Sequence, residues 1–567
     1  MNTKTTSIMF PKFIGPCDPN ISNFLSSIPR NFSDAVNKMI LPSFCRDATE
    51  DLVRNNRIKL QDLISKFHSE AGTMTPKVTR MISLLGNKKT QILASTHQSN
   101  LFAYSGVFKK IILLQALKSN VRNHDPQRKL INLFLIVDHD SMDEIWVRLA
   151  QLPSIRNSSG ILELRIPVTT SNRKRMICEM PLPGRQILDD WRNQIHRWLR
   201  NSLSSQYEPS YKSSLMCNFK EFWEEVELSY SRAKSYSDLN SFLMSLVVNK
   251  IWGYDTLFVR LSEISSVFED GFKYLISNFG SYTKALIKIE KVFFQQGIHT
   301  NVSSSVYENA PVWVRCKCGS KASLKIKINA VQQVLLTGTC LACKKIVTIN
   351  LGCGANKIDI PEETLNDFFP RAIPIILLLS RDLGVSCYAS GIGGIDYMIH
   401  ATAVCDQLSI NKPLTVFWPS KDIYQGLGQR EALRAVSLKD QSEVIPYIDS
   451  LKQRQAEYWY KIRPLLEKRK QLFKDQRPSD KFLSDLSKLK EDQRKIRELI
   501  KLSEKVHSAI KLSPCLVDYA INFGMSNAET QWRESLVRNN NLALPVALKV
   551  DGGIWGSEYG KAGVNSN

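Results

Sequence analysis

"TQILASTHQSNLFAYSGVFKKIILLQALKSN", residues 90–120, followed by "LINLFLIVDHD", residues 130–140, decides the fold. Residues 91–96 form a short apolar run of strand character. From Leu101 onward the apolar residues recur at helical spacing, and the second run is again strongly apolar, broken only by Asn132 before Asp138. Two buried strands about 40 residues apart with a helix between them make a βαβ unit of a parallel sheet. His97, Gln98, Ser99 and Asn100 stand together at the joint, where the strand ends and the helix is expected to begin.

Working outward, "IPIILLLSRDLGVSCYASGIGG" (373–394) and "PLTVFWPS" (413–420) return to strand character and are expected to rejoin the same sheet. Residues 1–85 read as helical and polar, with "NFSD" (31–34) as a helix start. Residues 185–300 are rich in aromatic and charged residues at helical spacing, which reads as packed helices without chemistry of their own. A chain of 567 residues exceeds one core, since single cores stop growing at about 250–300 residues.

No apolar segment of leader length precedes Pro11 and Pro16, and "IPIILLLS" falls far short of the roughly 18 residues that span a bilayer, so no membrane is expected. The 12 cysteines are sparse and partly grouped, which fits a reducing compartment and a cytoplasmic location better than a disulfide framework. Lys and Arg number 76 against 54 Asp and Glu, a formal charge of +22 that attracts phosphates of any kind. Residues 451–510 carry 17 basic and 9 acidic residues, a local excess of +8 that a long solvated helix face accommodates.

Cys316, Cys318, Cys340 and Cys343 form the most specific local pattern: a CxCG knuckle, an alternating spacer and a CxxC. Two cysteine pairs on tight turns supply four thiolates at tetrahedral spacing, so a structural Zn2+ ribbon is expected, with Cys353 as a spare. Closed all-thiolate coordination leaves no position for a substrate, so such an ion serves folding.

Toward the C-terminus, Ile448, Leu451, Tyr458, Ile462, Leu465 and Leu472 alternate by threes and fours, with Gln455 and Arg469 at the remaining seam positions. The pattern resumes with Phe482, Leu486, Leu489, Ile496 and Ile500 after a break at Pro478. An antiparallel coiled-coil hairpin is expected, with a second copy of the chain as the simplest cover. The chain thus divides into an N-terminal helical region (1–85), a Rossmann-like α/β core whose first half carries a helical insertion (86–310), a zinc ribbon (311–360), the second half of the core (361–435), the hairpin (436–515) and a C-terminal segment (516–567) with a helix at "AETQWRESLVRNN".

The order of these motifs resembles the bacterial cysteine-adding enzymes of bacillithiol synthesis over about residues 85–515. In that family the corresponding stretches look like "TGQQxGLF", "EDHD", "YVGGPGEIAY" and "PxPVxxPR". Gln98, Leu101, Phe102, Asp138, His139, Asp140, Tyr388, Gly391, Gly393, Ile395 and Tyr397 match. The resemblance implies a core related to class I nucleotidyl-transferring enzymes and a dimerising coiled coil. It also implies joining of the cysteine carboxylate to the amine of a glucosaminyl malate at the expense of ATP. His97 stands where the family has glutamine, Thr96 and Asn100 replace glycines, Gly394 replaces a glutamate, and the ribbon lies outside the family pattern.

The same residues carry a chemical reading of their own. The C-terminal edge of a parallel sheet is where open α/β folds bind ligands, and a helix N-terminus offers free N–H groups to phosphate. His97 and Asn100 resemble the His-x-x-Asn element that stabilises charge on a transferred phosphorus; alternatively His97 is an N-cap or a half-buried structural histidine and Asn100 a helix cap. Asp138 and Asp140, two apart on an extended edge, point to one side, toward an ammonium, sugar hydroxyls or the Mg2+ that accompanies ATP; alternatively they form an Asx turn and cap the helix "MDEIWVRLAQL". His139 faces the other way and reads as structural. Gly391, Gly393 and Gly394 allow close backbone approach or positive φ, as any tight turn does. Thr96, Gln98, these glycines and Lys421 are the candidate nucleotide-binding residues, and Asp396 and Tyr397 the candidate substrate contacts. The other class of function consistent with the charge is a tRNA- or nucleic-acid-binding protein on a synthetase-like core, although no short stretch interleaves basic residues with aromatics.

Overall fold

The computed structural model describes residues 19–41, 44, 51–295, 300, 302–353, 358–419, 421–475, 479–543 and 546–548. The N-terminal stretch read for a leader and the helix break at Pro478 lie outside them.

Among the described residues the strands are β1 (Thr90–His97), β2 (Lys129–Ile136), β3 (Leu149–Pro153), β4 (Ile161–Arg165), β5 (Leu257–Arg260), β6 (Val312–Arg315), β7 (Lys321–Ile328), β8 (Gln333–Cys340), β9 (Ile346–Cys353), β10 (Phe368–Pro370), β11 (Val385–Ser390) and β12 (Leu414–Phe417), with a further short parallel pair, Asp422–Ile423 and Val546–Ala547. Five of them make one all-parallel sheet in the order β12-β11-β1-β2-β5. In their own chain order this is 5-4-1-2-3, the doubly wound arrangement, with its switch point between β1 and β11. Alternate residues feed separate cores. Leu93, Phe134 and Ala389 pack with the crossover helix Ser105–His124 and the helices of 185–245, whereas Ile92, Leu133 and Phe417 pack with Asp51–Ala71 and Ala372–Leu383. Burial on both faces is why β1 and β2 read as mostly apolar runs rather than as an apolar–polar alternation.

Four local expectations are corrected. The crossover helix starts at Ser105 rather than Leu101; Leu101 and Phe102 lie in a turn, Phe102 at φ +45°, where both are buried and Phe102 packs on Trp191 and Phe222, with the look of a helix face. "IPIILLLS" is not a strand but part of the helix Ala372–Leu383, stopped by Gly384 at φ +62°; nearly every residue in it is buried, which erases the helical period. "MDEIWVRLAQL" is helical only at Ile145–Arg148, and Leu149–Pro153 pairs antiparallel with β4. Finally, residues 185–300 are not all helix: Leu257–Arg260 is the edge strand of the parallel sheet, pairing with β2.

A second five-stranded sheet, β10-β6-β7-β8-β9, is antiparallel throughout and carries the four cysteines of the knuckle pattern. The helices Val444–Lys474 and Asp480–Lys511 form a hairpin whose seam follows the sequence pattern: Ile448, Leu451, Ile462, Leu486, Ile496 and Ile500 are buried, while Trp459, Tyr460 and Phe473 are exposed. Ser479 accepts from Phe482 N to start the second helix. At its root Val444, Ile448, Val506 and Ala509 pack on the helix Leu427–Ala435. The β3–β4 turn touches the hairpin at Gly160, φ +81°, where a Cβ would sit 2.2 Å from Lys505 O. The expected C-terminal helix spans Met525–Asn539, and among the described residues no helix is long and apolar enough to cross a membrane.

Candidate functional site

Because the five strands run the same way, one edge gathers His97–Asn100, Val137–Asp140, Leu261–Glu263 and Gly391–Gly394. At the switch point Thr96 Oγ1 and Tyr388 OH are 2.7 Å apart, tying β1 to β11. His97 closes β1. A carbonyl can only accept, so Nδ1–H donates to Gln98 O at 3.2 Å and Nε2 accepts from the Tyr104 hydroxyl at 3.1 Å. Burial, then the charge of Lys110, pulls this imidazole down to about 3, so it is neutral at pH 7. Asn100 is 2% exposed, and neither its Oδ1 nor its Nδ2 meets a hydrogen-bond partner among the described residues. It does not cap the helix, because Tyr104 holds that position. A buried amide with both ends unmade costs about 1–3 kcal/mol, and its position at this edge marks a place where a ligand completes the bonding.

The two aspartates part company. Residues 138–139 lie in a turn, so the alternation of an extended strand does not apply and the carboxylates do not share a side. Asp138 is fully buried against the end of β5, accepting from Ser262 N at 2.9 Å and Ser262 Oγ at 2.6 Å; burial nevertheless pushes it up to about 6. Asp140 accepts from Lys321 Nζ at 2.7 Å, from Gln98 Nε2 at 2.5 Å and from Ser141 N at 2.9 Å. Burial raises its pKa, but the Lys321 ammonium and the donated hydrogen bonds overcome this and hold it well below the usual carboxylate range. Gln98 also accepts from Trp146 Nε1 at 3.1 Å. His139 stacks on Phe369 and bonds Pro370 O at 3.1 Å, as its structural reading requires.

The glycine loop is open at two points: a Cβ on Gly391 or Gly393 would meet nothing within 4 Å, while one on Gly394 would strike Ser390 Oγ. None of the three has positive φ, so the conformational reason for them is withdrawn and the spatial one stands. Asp396 is buried in the first turn of the helix Ile395–Gln407, its carbonyl accepting from His400 Nδ1 at 2.7 Å. Burial, Asp396, Asp140 and Glu144 together raise the Tyr397 hydroxyl, so Tyr397 lies on the Asp140 side of the edge. Lys421 is exposed beyond β12, and no contact among the described residues joins it to the quartet.

One residue of this edge went unread in the sequence. Lys110 is 6% exposed, donates to Thr96 O at 2.7 Å and has no carboxylate partner among the described residues; burial lowers its ammonium to about 7. Its signal was present: in "VFKKIILLQALK" the lysines sit among apolar residues with no polar face to occupy. A cavity of about 710 Å3 opens at the opposite edge of the sheet, beside Val385 and Leu414, and contains none of these groups.

In the second sheet the thiols of Cys316, Cys318, Cys340 and Cys343 lie within 4.8 Å of one another, with Cys316–Cys343 at 3.6 Å and Cys318–Cys340 at 3.5 Å. Tetrahedral ligation by four sulfurs at about 2.3 Å separates them by roughly 3.8 Å, so the arrangement fits a metal ion. Gly319 (φ +80°) and Lys344 (φ +61°) turn the two knuckles, and backbone amides of Cys318, Ala342 and Cys343 bond to the sulfurs. Cys353 lies outside the cluster, and among the described residues no second group of three or more His, Cys, Asp or Glu could hold a metal. Compared with known proteins, the chain matches no family model, and no curated protein sequence matches it.

Proposed function

We propose that the protein is an ATP-dependent ligase that forms an amide between the carboxylate of cysteine and the amine of a glucosaminyl-malate-like acceptor, in low-molecular-weight thiol synthesis of the bacillithiol type. The observation that carries this reading is the switch point: β1 and β11 end side by side, and beyond them lie the unpartnered Asn100 amide, the Lys110 ammonium with no carboxylate beside it among the described residues, and the open Gly391 and Gly393 backbone. A sheet edge with an unpartnered amide, a cation and close backbone access suits a nucleotide phosphate.

In this scheme a cysteine carboxylate oxygen attacks a phosphorus of ATP and expels pyrophosphate or ADP. The acceptor nitrogen then attacks the acyl carbon, loses its proton and displaces AMP or phosphate. Lys110 and Asn100 hold the phosphate, with Thr96 and Gln98 fixing the strand end. His97, a neutral ring with both nitrogens engaged by Gln98 O and Tyr104, positions this edge, and Tyr397 faces the substrate. Ser262 saturates Asp138 and Lys321 saturates Asp140, so neither is assigned Mg2+, which travels on the phosphates. The four-cysteine cluster is assigned a structural Zn2+ and the hairpin a coiled-coil dimer contact through its exposed Trp459 and Tyr460. The unpaired thiols suit the reducing cytoplasm.

The test is ATP consumption by zinc-loaded protein with cysteine alone, glucosaminyl malate alone and both, beside the Lys110→Met and His97→Ala variants. Turnover that needs cysteine and is lost in the variants supports the ligase. If no condition consumes or binds ATP and the protein instead retains RNA in a salt-dependent way, the nucleic-acid reading replaces it.

A further inference from the structure

The first cysteine knuckle is connected to the sheet edge by an unbroken series of bonds. Cys316 N donates to Ser320 O at 2.7 Å and Gly319 N to Cys316 O at 2.9 Å, and the chain leaves this turn as β7, whose first residue is Lys321. The knuckle is docked as well: Met176 N donates to Gly319 O at 2.8 Å and Ser320 Oγ to Lys174 O at 2.5 Å. The same segment supplies Ile177 N to Asp140 O at 2.8 Å and Cys178 N to Asp138 O at 2.9 Å. From the turn, Lys321 runs over the Trp313 ring, 4.8 Å from its centroid, to Asp140; Asp140 holds Gln98, and Gln98 holds Trp146.

We propose that metal binding by the four cysteines positions Gln98 at the sheet edge through Lys321 and Asp140, which makes Lys321 a positioning residue of that site. Lys321 is 5% exposed. The Asp140 side chain is 29% exposed, so when Lys321 is withdrawn its uncompensated carboxylate has water within reach and turns toward it. A knuckle without its metal no longer fixes the start of β7; Asp140 then turns outward and releases the Gln98 amide. The consequence for a ligand rests on the proposed function, but the coupling itself does not.

The experiment is hydrogen–deuterium exchange on the full chain, metal-loaded and after chelation, with Lys321→Met, Lys321→Arg and Asp140→Asn in the metal-loaded state and metal content measured for each. Chelation, Lys321→Met and Asp140→Asn are expected to raise exchange in 96–100 and 138–146 by about tenfold, while 129–136 stays protected. Lys321→Arg restores protection, and Lys321→Met keeps its metal. Increased exchange confined to 312–353 after chelation, or undisturbed protection at 96–100 in metal-loaded Lys321→Met, overturns the coupling. If chelation unfolds the whole chain, the metal-loaded variants decide by the same criterion. Loss of ATP binding with the coupling intact would count against the ligase alone.

Discussion

Replacing Lys110 by methionine is expected to make the protein melt higher at neutral pH and, under the proposed function, to weaken ATP binding. The unfolded lysine titrates near 10.5 and the folded one at about 7, because the helix and the ends of β1 and β11 keep water from it. At about 1.4 kcal/mol per pH unit, holding this ammonium in the fold costs roughly 4 kcal/mol at pH 7. Methionine removes that cost and forfeits the bond to Thr96 O, worth about 1 kcal/mol, for a net gain of about 2–3 kcal/mol. In a chain of this size that is an upward shift on the order of 2 °C. The sign fixes the pH window. A lysine with a lowered folded pKa destabilises most below pH 7, and the effect fades as pH rises toward 10.5, where the unfolded lysine is also neutral. Scanning fluorimetry of wild type and Lys110→Met at pH 7 and pH 10, with calorimetry for ATP, checks both halves. A variant that melts below wild type at pH 7, or a difference that does not shrink by pH 10, would refute the claim that Lys110 is held at the fold's expense.

Three further outcomes follow from the same geometry. His68, fully buried between Thr73 Oγ1 and Phe258 N, is held at about 3 by burial, whereas unfolded it titrates near 6.5, so stability drains away as pH falls from 6.5 toward 3; His68→Gln should show a shallower loss of melting temperature over that range, by up to about 1.4 kcal/mol per pH unit. Gly160→Ala drives a Cβ into Lys505 O at φ +81° and is expected to cost about 2–4 kcal/mol, read as a lower melting temperature and faster proteolysis of 444–511. Ser262→Ala removes the hydroxyl that donates to Asp138 at 2.6 Å, a loss of about 1.5–3 kcal/mol in stability; under the proposed function any ATP binding is unaffected, because Asp138 turns to β5.

The beginning of the sheet was legible because residues 92–94 and 130–136 are apolar apart from Asn132 and bounded by polar joints, which is what a buried parallel strand looks like. The hairpin seam and the cysteine knuckles were legible because each depends on residues a few positions apart. Leu257–Arg260 was not, since four residues within an aromatic helical region carry no period of their own, and Ala372–Leu383 was misread because a helix buried all round loses its polar face. At the site, the position of the quartet followed from the strand end. The diversion of Asp138 did not, because Ser262 arrives from 124 residues away. Lys321 was likewise hidden, seen only as part of the spacer between cysteines.

The sheet order has a consequence for how the chain is made. β1 can pair with β2 as soon as residue 136 has emerged, but its other neighbour, β11, ends at Ser390. At about 5–20 residues per second, the ribosome leaves that side of β1 without its partner for roughly 15–60 s. During this interval the backbone of residues 90–97 is an unpaired edge of the kind that recruits foreign strands, and the helices of 185–245, already synthesised, are the material at hand to shield the neighbouring apolar face. The long insertion between the halves of the core therefore sets a nascent-chain problem, and a cell that makes this protein must keep one strand waiting for its partner.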